Sequence, residues 1–216
     1  MPLLVRTWNL FHGNTSPPGR RAHLRQMVEL VSRDRPDVIC LQELPVWALP
    51  RLEGWSGMHA AGAVARKPLL PAGARAVTAV HHGLLRSAVT GEADAILTAE
   101  PGRDLGSTVV GSSGLRRIAH AVDVAGVQIV NFHIDGERAQ FERVVALAGA
   151  RTILAGDANI PSPAADGFSA PLRGSIDQIL VRGLGVLEGP RAWPAVRHTL
   201  RGRVLSDHAP VEAVVE

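Results

Sequence analysis

Short apolar runs, most of them closed by a polar residue, organise this sequence. Leu3–Trp8 is apolar and β-prone, which predicts a first strand ending at Asn9. Pro17-Pro18-Gly19 then breaks the chain. From Arg20 to Asp34, the residues Leu24, Met27, Val28 and Val31 recur at the spacing of one helix face, and Pro36 closes the helix. Asp37–Gln42 is a compact apolar run suited to a buried strand. Arg116–Val124 and Val127–Phe132 are two β-prone runs joined at Ala125-Gly126, the pattern of a hairpin. Glu137–Ala148 returns to helical spacing, with Phe141, Val144, Val145 and Ala148 on one face. Thr152–Ala155, Ile176–Val181 and Pro210–Val215 predict the remaining core strands. Between Leu44 and Leu115 the pattern weakens into Ala, Gly and Pro, with short candidate strands near Ala76–Val80, Leu84–Val89, Ala95–Thr98 and Thr108–Val110. Strands outnumber helices and helices fall between strands. The expected fold is therefore α/β, with sheets covered by helices in one domain over residues 1–216.

Composition changes this picture in two places. Hydrophobic residues make up 46% of the 216, enough for a packed core, and no apolar run is long enough to span a membrane. Met1–Asn9 lacks the length and cleavage site of a signal peptide, so a cytoplasmic address is expected. Cys40 is the one cysteine, so no internal disulfide can form, and its apolar surroundings mark it as a small core residue. The formal charge is only +3, yet the pI is about 10.3. Lys67 is the one lysine, so nearly all the positive charge is arginine, which titrates only at very high pH and grips phosphate with a bidentate fork. The same bias follows from a GC-rich genome, so it favours a phosphate-bearing partner only weakly.

The polar residues that close the runs carry the chemistry. The first strand ends at Asn9, the next apolar strand at Gln42-Glu43, and a third in Asn131-Phe132-His133. A fourth runs into Gly156-Asp157-Ala158-Asn159, a fifth contains Ile176-Asp177-Gln178-Ile179, and Ser206-Asp207-His208 precedes the last. Strand ends and the loops beyond them are where α/β folds build sites. Taken singly, each is weak: a Glu after a strand is usually solvated, and Asp-x-Asn after Gly is more often a turn. Asp177 is odder, because an unpaired carboxylate in an apolar strand is costly, and a histidine is an economical partner. Other polar residues read two ways. His12 either lines a site rim or is an ordinary loop histidine. Arg116 and Arg117 open a strand, where they either reach a substrate phosphate or stand as edge charges. His81, His82 and His120 have no acidic metal-ligand pattern around them and read as structural, and Trp8, Trp47, Trp55 and Trp193 as core or rim packing.

Taken in order, these six motifs resemble the endonuclease/exonuclease/phosphatase superfamily, and they frame the chain from residue 3 to residue 215. Gly-Asp-x-Asn together with Ser-Asp-His is the specific part of the match. The resemblance implies a four-layer α/β/β/α sandwich, two mostly antiparallel sheets packed face to face with outer helices. It implies a phosphoesterase that needs Mg²⁺ or Mn²⁺. In that scheme Glu43 is the main metal ligand, with Asn9 and Asp207 as direct or water-mediated ligands. Asp157 orients or deprotonates the attacking water, and Asn159 holds a phosphate oxygen or that water. His208 contacts the phosphate, Asp177 fixes its tautomer, and His133 lies on the phosphate's other side. Asp94 stands where the family commonly has an asparagine. No tyrosine is present, so the active-site tyrosine of apurinic endonucleases is missing. The expected substrate is nucleic acid, cut by a monomer. A small-molecule phosphoester, phospholipid or inositol phosphate is the alternative, and an inactive phosphate-binding relative is a third reading.

Overall fold

The computed structural model describes residues 1–19, 21–69, 89–112 and 114–216. The candidate strands Ala76–Val80 and, but for its last residue, Leu84–Val89, together with His81 and His82, lie outside the described residues. The first sheet contains β1 (Leu3–Asn9), β3 (Val38–Leu44), β4 (His59–Arg66), β5 (Glu92–Thr98), β11 (Val186–Ala192) and β14 (Val211–Val215), in the order β11-β14-β1-β3-β5-β4. The second contains β6 (Arg103–Gly111), β7 (Arg117–Val124), β8 (Val127–His133), β9 (Thr152–Asp157) and β10 (Asp177–Arg182), in the order β10-β9-β8-β7-β6. Within both sheets, only β1–β3 and β8–β9 pair in parallel among the described residues. A small third sheet joins β2 (Thr15–Ser16), β12 (Thr199–Leu200) and β13 (Arg203–Leu205).

Strand alternation builds the layers. Val5, Val38, Cys40 and Ile96 of the first sheet meet Val122, Ile129, Ile153, Ala155, Ile179 and Val181 of the second in one buried cluster. The alternate residues of the first sheet, Trp8, Ile39, Leu41 and Leu97, pack outward onto α1 (Leu24–Ser32) and α2 (Leu52–Ser56). Those of the second, Val130, Phe132, Leu154 and Leu180, pack onto Phe141 and Val144 of α3 (Arg138–Val145). The result is the α/β/β/α sandwich. The period of two decides the site: the face that carries Val5, Cys40, Ile129, Ala155 and Ile179 also carries Asn9, Gln42, Asn131, Asp157 and Asp177. Register sets these side by side. Asn9 pairs with Gln42, His133 with Asp157, and Asp157 with Asp177.

Two buried amides join the sheets at this edge. Between Leu41 and Leu44 the β3–β5 ladder slips by a bulge. There the carbonyls of Leu41 and Ala95 each accept a hydrogen bond from Asn131 Nδ2 at 2.9 Å, across the sandwich. Asn131 Oδ1 accepts from Gln42 Nε2 at 2.7 Å, and Gln42 also donates to Thr7 Oγ1 at 2.9 Å. The bulge puts Glu43 in the left-handed region, at φ 53°, and so re-aims its side chain.

Differences from the sequence pattern have physical reasons. The first helix begins at Leu24 rather than Arg20, after His23, and the third ends at Val145 before turns at Leu147 and Ala148. Strand β4 reads His-Ala-Ala-Gly-Ala-Val-Ala-Arg, small residues with little β preference, and is held as a sheet edge by β5. The other edge, β11, is mostly exposed and contains Gly189-Pro190, which hides a strand from any hydrophobic pattern. Asn131→Ala would strand three buried polar groups. We expect it to lower stability by about 3 kcal/mol or more, read from urea denaturation at unchanged m-value. A loss under about 1 kcal/mol would show that the sheets do not rely on this bridge.

Candidate active site

At the end of β9, Gly156 lies so close to β8 that a Cβ atom there would sit 2.0 Å from the Phe132 carbonyl oxygen. Only glycine permits that approach, and it delivers Asp157 buried to the centre of the edge. Asp157 Oδ1 accepts from the Asn159 backbone N–H at 2.9 Å, and Asp157 Oδ2 from Asn9 Nδ2 at 3.0 Å. The same Asn9 amide donates to Glu43 Oε1 at 3.1 Å. Its own Oδ1 accepts from the Phe11 N–H at 3.0 Å, so Asn9 is a fixed post from which two carboxylates hang. Glu43, Asn159 and Ser206 all hold left-handed backbone, at φ 53°, 48° and 63°. Non-glycine residues rarely adopt it, and its concentration here marks strain stored around a site.

Two histidines face Asp157, each backed by a carboxylate. Asp177 accepts from His208 Nδ1 at 2.9 and 3.1 Å, which leaves Nε2 directed at Asp157 Oδ2, 3.8 Å away. Burial works against charge on His208. The hydrogen bond and charge of Asp177 outweigh it, Asp157 and Asp207 add to them, and the imidazole is raised to about 9. The His208 loop is fixed as well: Ser206 Oγ donates to the Asn9 carbonyl at 2.7 Å and accepts from the His208 N–H at 3.1 Å. Trp8 Nε1 donates to the His208 carbonyl at 2.9 Å.

On the other side, His133 Nε2 lies 3.7 Å from Asp157 Oδ2 and 3.8 Å from Glu43 Oε1. Its Nδ1 lies 3.4 Å from Glu92 Oε1. Arg117 donates to the same Glu92 oxygen at 2.6 Å and to Asp135 Oδ1 at 2.6 Å, and its guanidinium is 3.1 Å from His133 Nδ1. Burial opposes ionisation of Glu92, but His133, Arg117 and His12 hold its carboxyl down at about 2. Burial likewise opposes charge on His133, and the Glu92 contact raises it nonetheless. Asp94, one strand step inward, is pushed up to about 7 by burial, with Glu92 and Glu43 adding to it.

The expected residues thus fall into three groups. Asn9, Glu43, Asp157, Asn159, His133, Asp177 and His208 share this edge. His12 is buried beside it, 3.9 Å from Glu43, and Asp207 is exposed in the His208 loop. The two arginines part company. Arg117 is spent on Glu92 and Asp135, whereas Arg116 donates to the Val64 and Ala65 carbonyls, at 3.1 and 2.9 Å. Glu92 and Asp135 escaped the sequence reading. Glu92 opens its strand inside the stretch where the apolar pattern is weakest, so nothing local distinguished it from a loop acid. His120 is buried against Asp104 at 2.9 Å, away from this cluster.

The donor set fits a hard divalent cation. Glu43 and Asp157 bring two carboxylates to one amide donor, and the Glu43 side chain remains 22% exposed. Like charges gathered so closely favour a cation between or beside them. Asp157, Asp177 and His208 also place ligand atoms within 4.8 Å of one another. There, however, Asp177 is committed to His208, and an imidazolium does not ligate a metal. The Glu43 side is the better seat.

The family model described as "Endonuclease/Exonuclease/phosphatase family" matches residues 7–208. The chain belongs to that family. Its name spans enzymes that break phosphate ester bonds. No curated protein matches this family member in sequence. Among solved structures, a conserved protein of unknown function from Enterococcus faecalis V583 is similar at 18% identity and a TM-score of 0.70, over 99% of each chain. An endonuclease/exonuclease/phosphatase from Beutenbergia cavernae DSM 12333 gives 17% and 0.66, over 100% of this chain and 71% of that one. TDP2 from D. rerio, complexed with a single-strand DNA product, gives 14% and 0.66, over 100% and 99%. At these identities the likeness concerns the fold.

The His208–Asp177 pair predicts a pH response. A raised imidazole keeps its proton below its own pKa and loses it as pH rises through that value. In chelator-treated protein, the His208 ring protons should therefore titrate near 9 by NMR. Asp177→Asn should bring the midpoint back toward the ordinary 6.5. An unchanged midpoint in that variant would show that another group holds the proton.

Proposed function

We propose that this protein is a divalent-metal-dependent phosphodiesterase that hydrolyses nucleic acid. One observation carries the reading: two carboxylate-backed imidazoles, His208 on Asp177 and His133 on Glu92, converge from opposite sides on Asp157, next to Glu43. A phosphodiester is an anion that repels its nucleophile. A site for its hydrolysis needs positive charge around the phosphoryl oxygens and a carboxylate aimed at water.

In this proposal Glu43 is the principal metal ligand, with Asp207 and water completing the shell and Asn9 holding Glu43 in place. Bound there, Mg²⁺ or Mn²⁺ would screen the phosphate and stabilise the oxyanion that develops. The chain's own groups do the rest. Asp157, anchored by Asn9 and Asn159, accepts a proton from the attacking water. His208 donates Nε2–H to a non-bridging oxygen, because Asp177 occupies Nδ1 and keeps the ring cationic. His133 donates from the opposite side or protonates the leaving oxygen. Asn159 Nδ2 donates to the Ile134 carbonyl at 2.9 Å, which orders the loop that carries the Asp157 cap. His12, beside Glu43, stands at the rim. Arg116 and Arg117 contribute through the backbone and Glu92 they hold, with no substrate contact required. Nucleic acid is the preferred substrate because the protein's positive charge is almost entirely arginine.

A panel of DNA, RNA, a generic phosphodiester and sphingomyelin should show turnover with Mg²⁺ or Mn²⁺, best on nucleic acid, and none in excess chelator. Full activity with the metal removed would end the metal assignment, and turnover confined to the lipid would end the substrate assignment. Separately, Asp177→Asn should lower kcat/KM by about 100-fold or more and His208→Ala by at least as much. The double variant should be little worse than His208→Ala, because residues acting as one unit do not add. Fully additive losses would separate the two residues' roles.

A further inference from the structure

Beyond the catalytic edge, the small third sheet supports a cleft of about 380 Å³ lined by Thr15, Gly19, Arg21, His23, Arg201 and Arg203, with Leu200. Among the described residues, none that lines it is acidic. Several arginines are committed to acids: Arg6 to Asp34 and Glu212, Arg117 to Glu92 and Asp135, Arg191 and Arg197 to Glu212. Arg21, Arg201 and Arg203 differ. All three are exposed, and among the described residues none has a carboxylate or carbonyl partner. They line one cleft together with His23. Burial and then the charges of Arg203, Arg21 and Arg201 hold the His23 imidazole below its ordinary value. Three unpaired guanidiniums facing one imidazole repel one another unless an anion lies among them.

The cleft is also physically joined to the catalytic edge. Strand β13, which carries Arg203, runs directly into Ser206-Asp207-His208. Thr15 bridges to Ser206, and Ser206 N–H donates to the Asn14 carbonyl at 2.9 Å. Asn14 Oδ1 accepts from the Thr15 and Gly19 N–H groups, both at 2.9 Å, and the Gly13 carbonyl accepts from His23 N–H at 2.7 Å. One hydrogen-bonded loop therefore forms the wall of the cleft and the flank of the His208 loop. His208, His133 and a cation at Glu43 would hold one phosphate. A second anion site next to them suits a substrate that carries phosphates in series.

We propose that the cleft of Arg21, His23, Arg201 and Arg203 is a second phosphate subsite, which holds a backbone phosphate of a nucleic-acid strand whose scissile phosphate lies at the catalytic edge. This rests on the phosphodiesterase reading above. Arginine forks bind phosphate oxygens bidentately, and each neutralised phosphate releases counterions, so this grip is salt-dependent and independent of base sequence. The subsite therefore raises affinity for a strand and does nothing for a substrate with a single phosphate.

The test compares the wild-type enzyme, Arg21→Gln/Arg201→Gln/Arg203→Gln, and a control of equal charge loss at the far ends of the strands, Arg33→Gln/Arg103→Gln/Arg151→Gln. The substrates are a single-stranded oligonucleotide of about 12 nucleotides and bis(4-nitrophenyl) phosphate, both with Mg²⁺. In the cleft variant, KM for the oligonucleotide should rise about tenfold or more. The slope of its logarithm against log salt should shrink by about 1. Turnover of bis(4-nitrophenyl) phosphate should stay within about twofold of wild type, which also certifies the fold, and the control should behave as wild type on both substrates. An unchanged oligonucleotide KM and salt slope in the cleft variant, or an equal effect in the control, overturns the subsite. So does a variant that loses binding to vesicles of phosphatidylcholine and phosphatidylserine while its oligonucleotide KM holds. Wild-type enzyme that turns over bis(4-nitrophenyl) phosphate but no oligonucleotide overturns the nucleic-acid reading itself, a result distinct from failure of the cleft.

Discussion

The buried amide pair of Gln42 and Asn131 is the constraint on which the site depends. Two sheets that meet through aliphatic side chains can slide, because dispersion and burial are nearly indifferent to small displacements. Hydrogen bonds are not. Asn131 reaches from β8 to two carbonyls of the opposite sheet at the β3 bulge, and Gln42 returns the contact while bonding Thr7. Leaving any of these groups unpaired in the interior is costly, so the sheets are held in one register at this edge. Glu43 follows Gln42, and His133 lies one strand step beyond Asn131. The two residues are thereby fixed within 3.8 Å of each other although they belong to different sheets.

Electrostatics then determines what the edge is. Glu43, Glu92, Asp94, Asp157 and Asp177 crowd a small volume with the basic groups of His12, Arg66, Arg117, His133 and His208. The balance is uneven. Glu92, gripped by Arg117 and facing His133, stays ionised down to about 2, while Asp94, fully buried and without a hydrogen bond on Oδ1, is pushed up to about 7. Such divergent acids in one cluster are typical of functional sites, where burial and neighbours are arranged against ordinary ionisation. Glu43, on the side nearest solvent, has the imidazoles of His133 and His12 at 3.8 and 3.9 Å but, among the described residues, no arginine in contact, and is the seat proposed for a cation.

The arginine-rich composition resolves into different uses. Arg6 is buried beneath Trp193 and fork-bonded to Asp34 and Glu212, and Glu212 also collects Arg191 and Arg197. That network closes the sheet edge between β1, β14 and β11. Arg117 is held by Glu92 and Asp135 behind the polar edge. Arg21, Arg201 and Arg203, which have no acid partner among the described residues, gather beside the third sheet. A count of positive charges therefore overstates the surface open to a polyanion.

The polar residues of the site were legible in the chain because each closes, interrupts or precedes a strongly apolar run. Asn9, Glu43, His133, Asp157, Asp177 and His208 are each weak by that contrast, and their order as six motifs is what made them specific. Both main helices and the Ala125-Gly126 hairpin were legible because period and turn chemistry are local. Glu92 was not, since it opens a strand in a segment of small residues, and its significance lies in His133 and Arg117, which arrive from two other strands. The exposed edge β11 and the residue-poor β4 were hidden because sheet pairing, not hydrophobic pattern, holds them. Nothing local separated Arg116 from Arg117 either. Arg117 opens β7 and Arg116 stands just before it, and only the packing of β7 against its neighbours decides which guanidinium is buried on Glu92 and which bonds the Val64 and Ala65 carbonyls. Residue types and their periodicity determined the layers and the candidate chemistry; the cross-sheet amides, the second imidazole–carboxylate pair and the unpaired arginine cleft exist only once distant strands are hydrogen-bonded together.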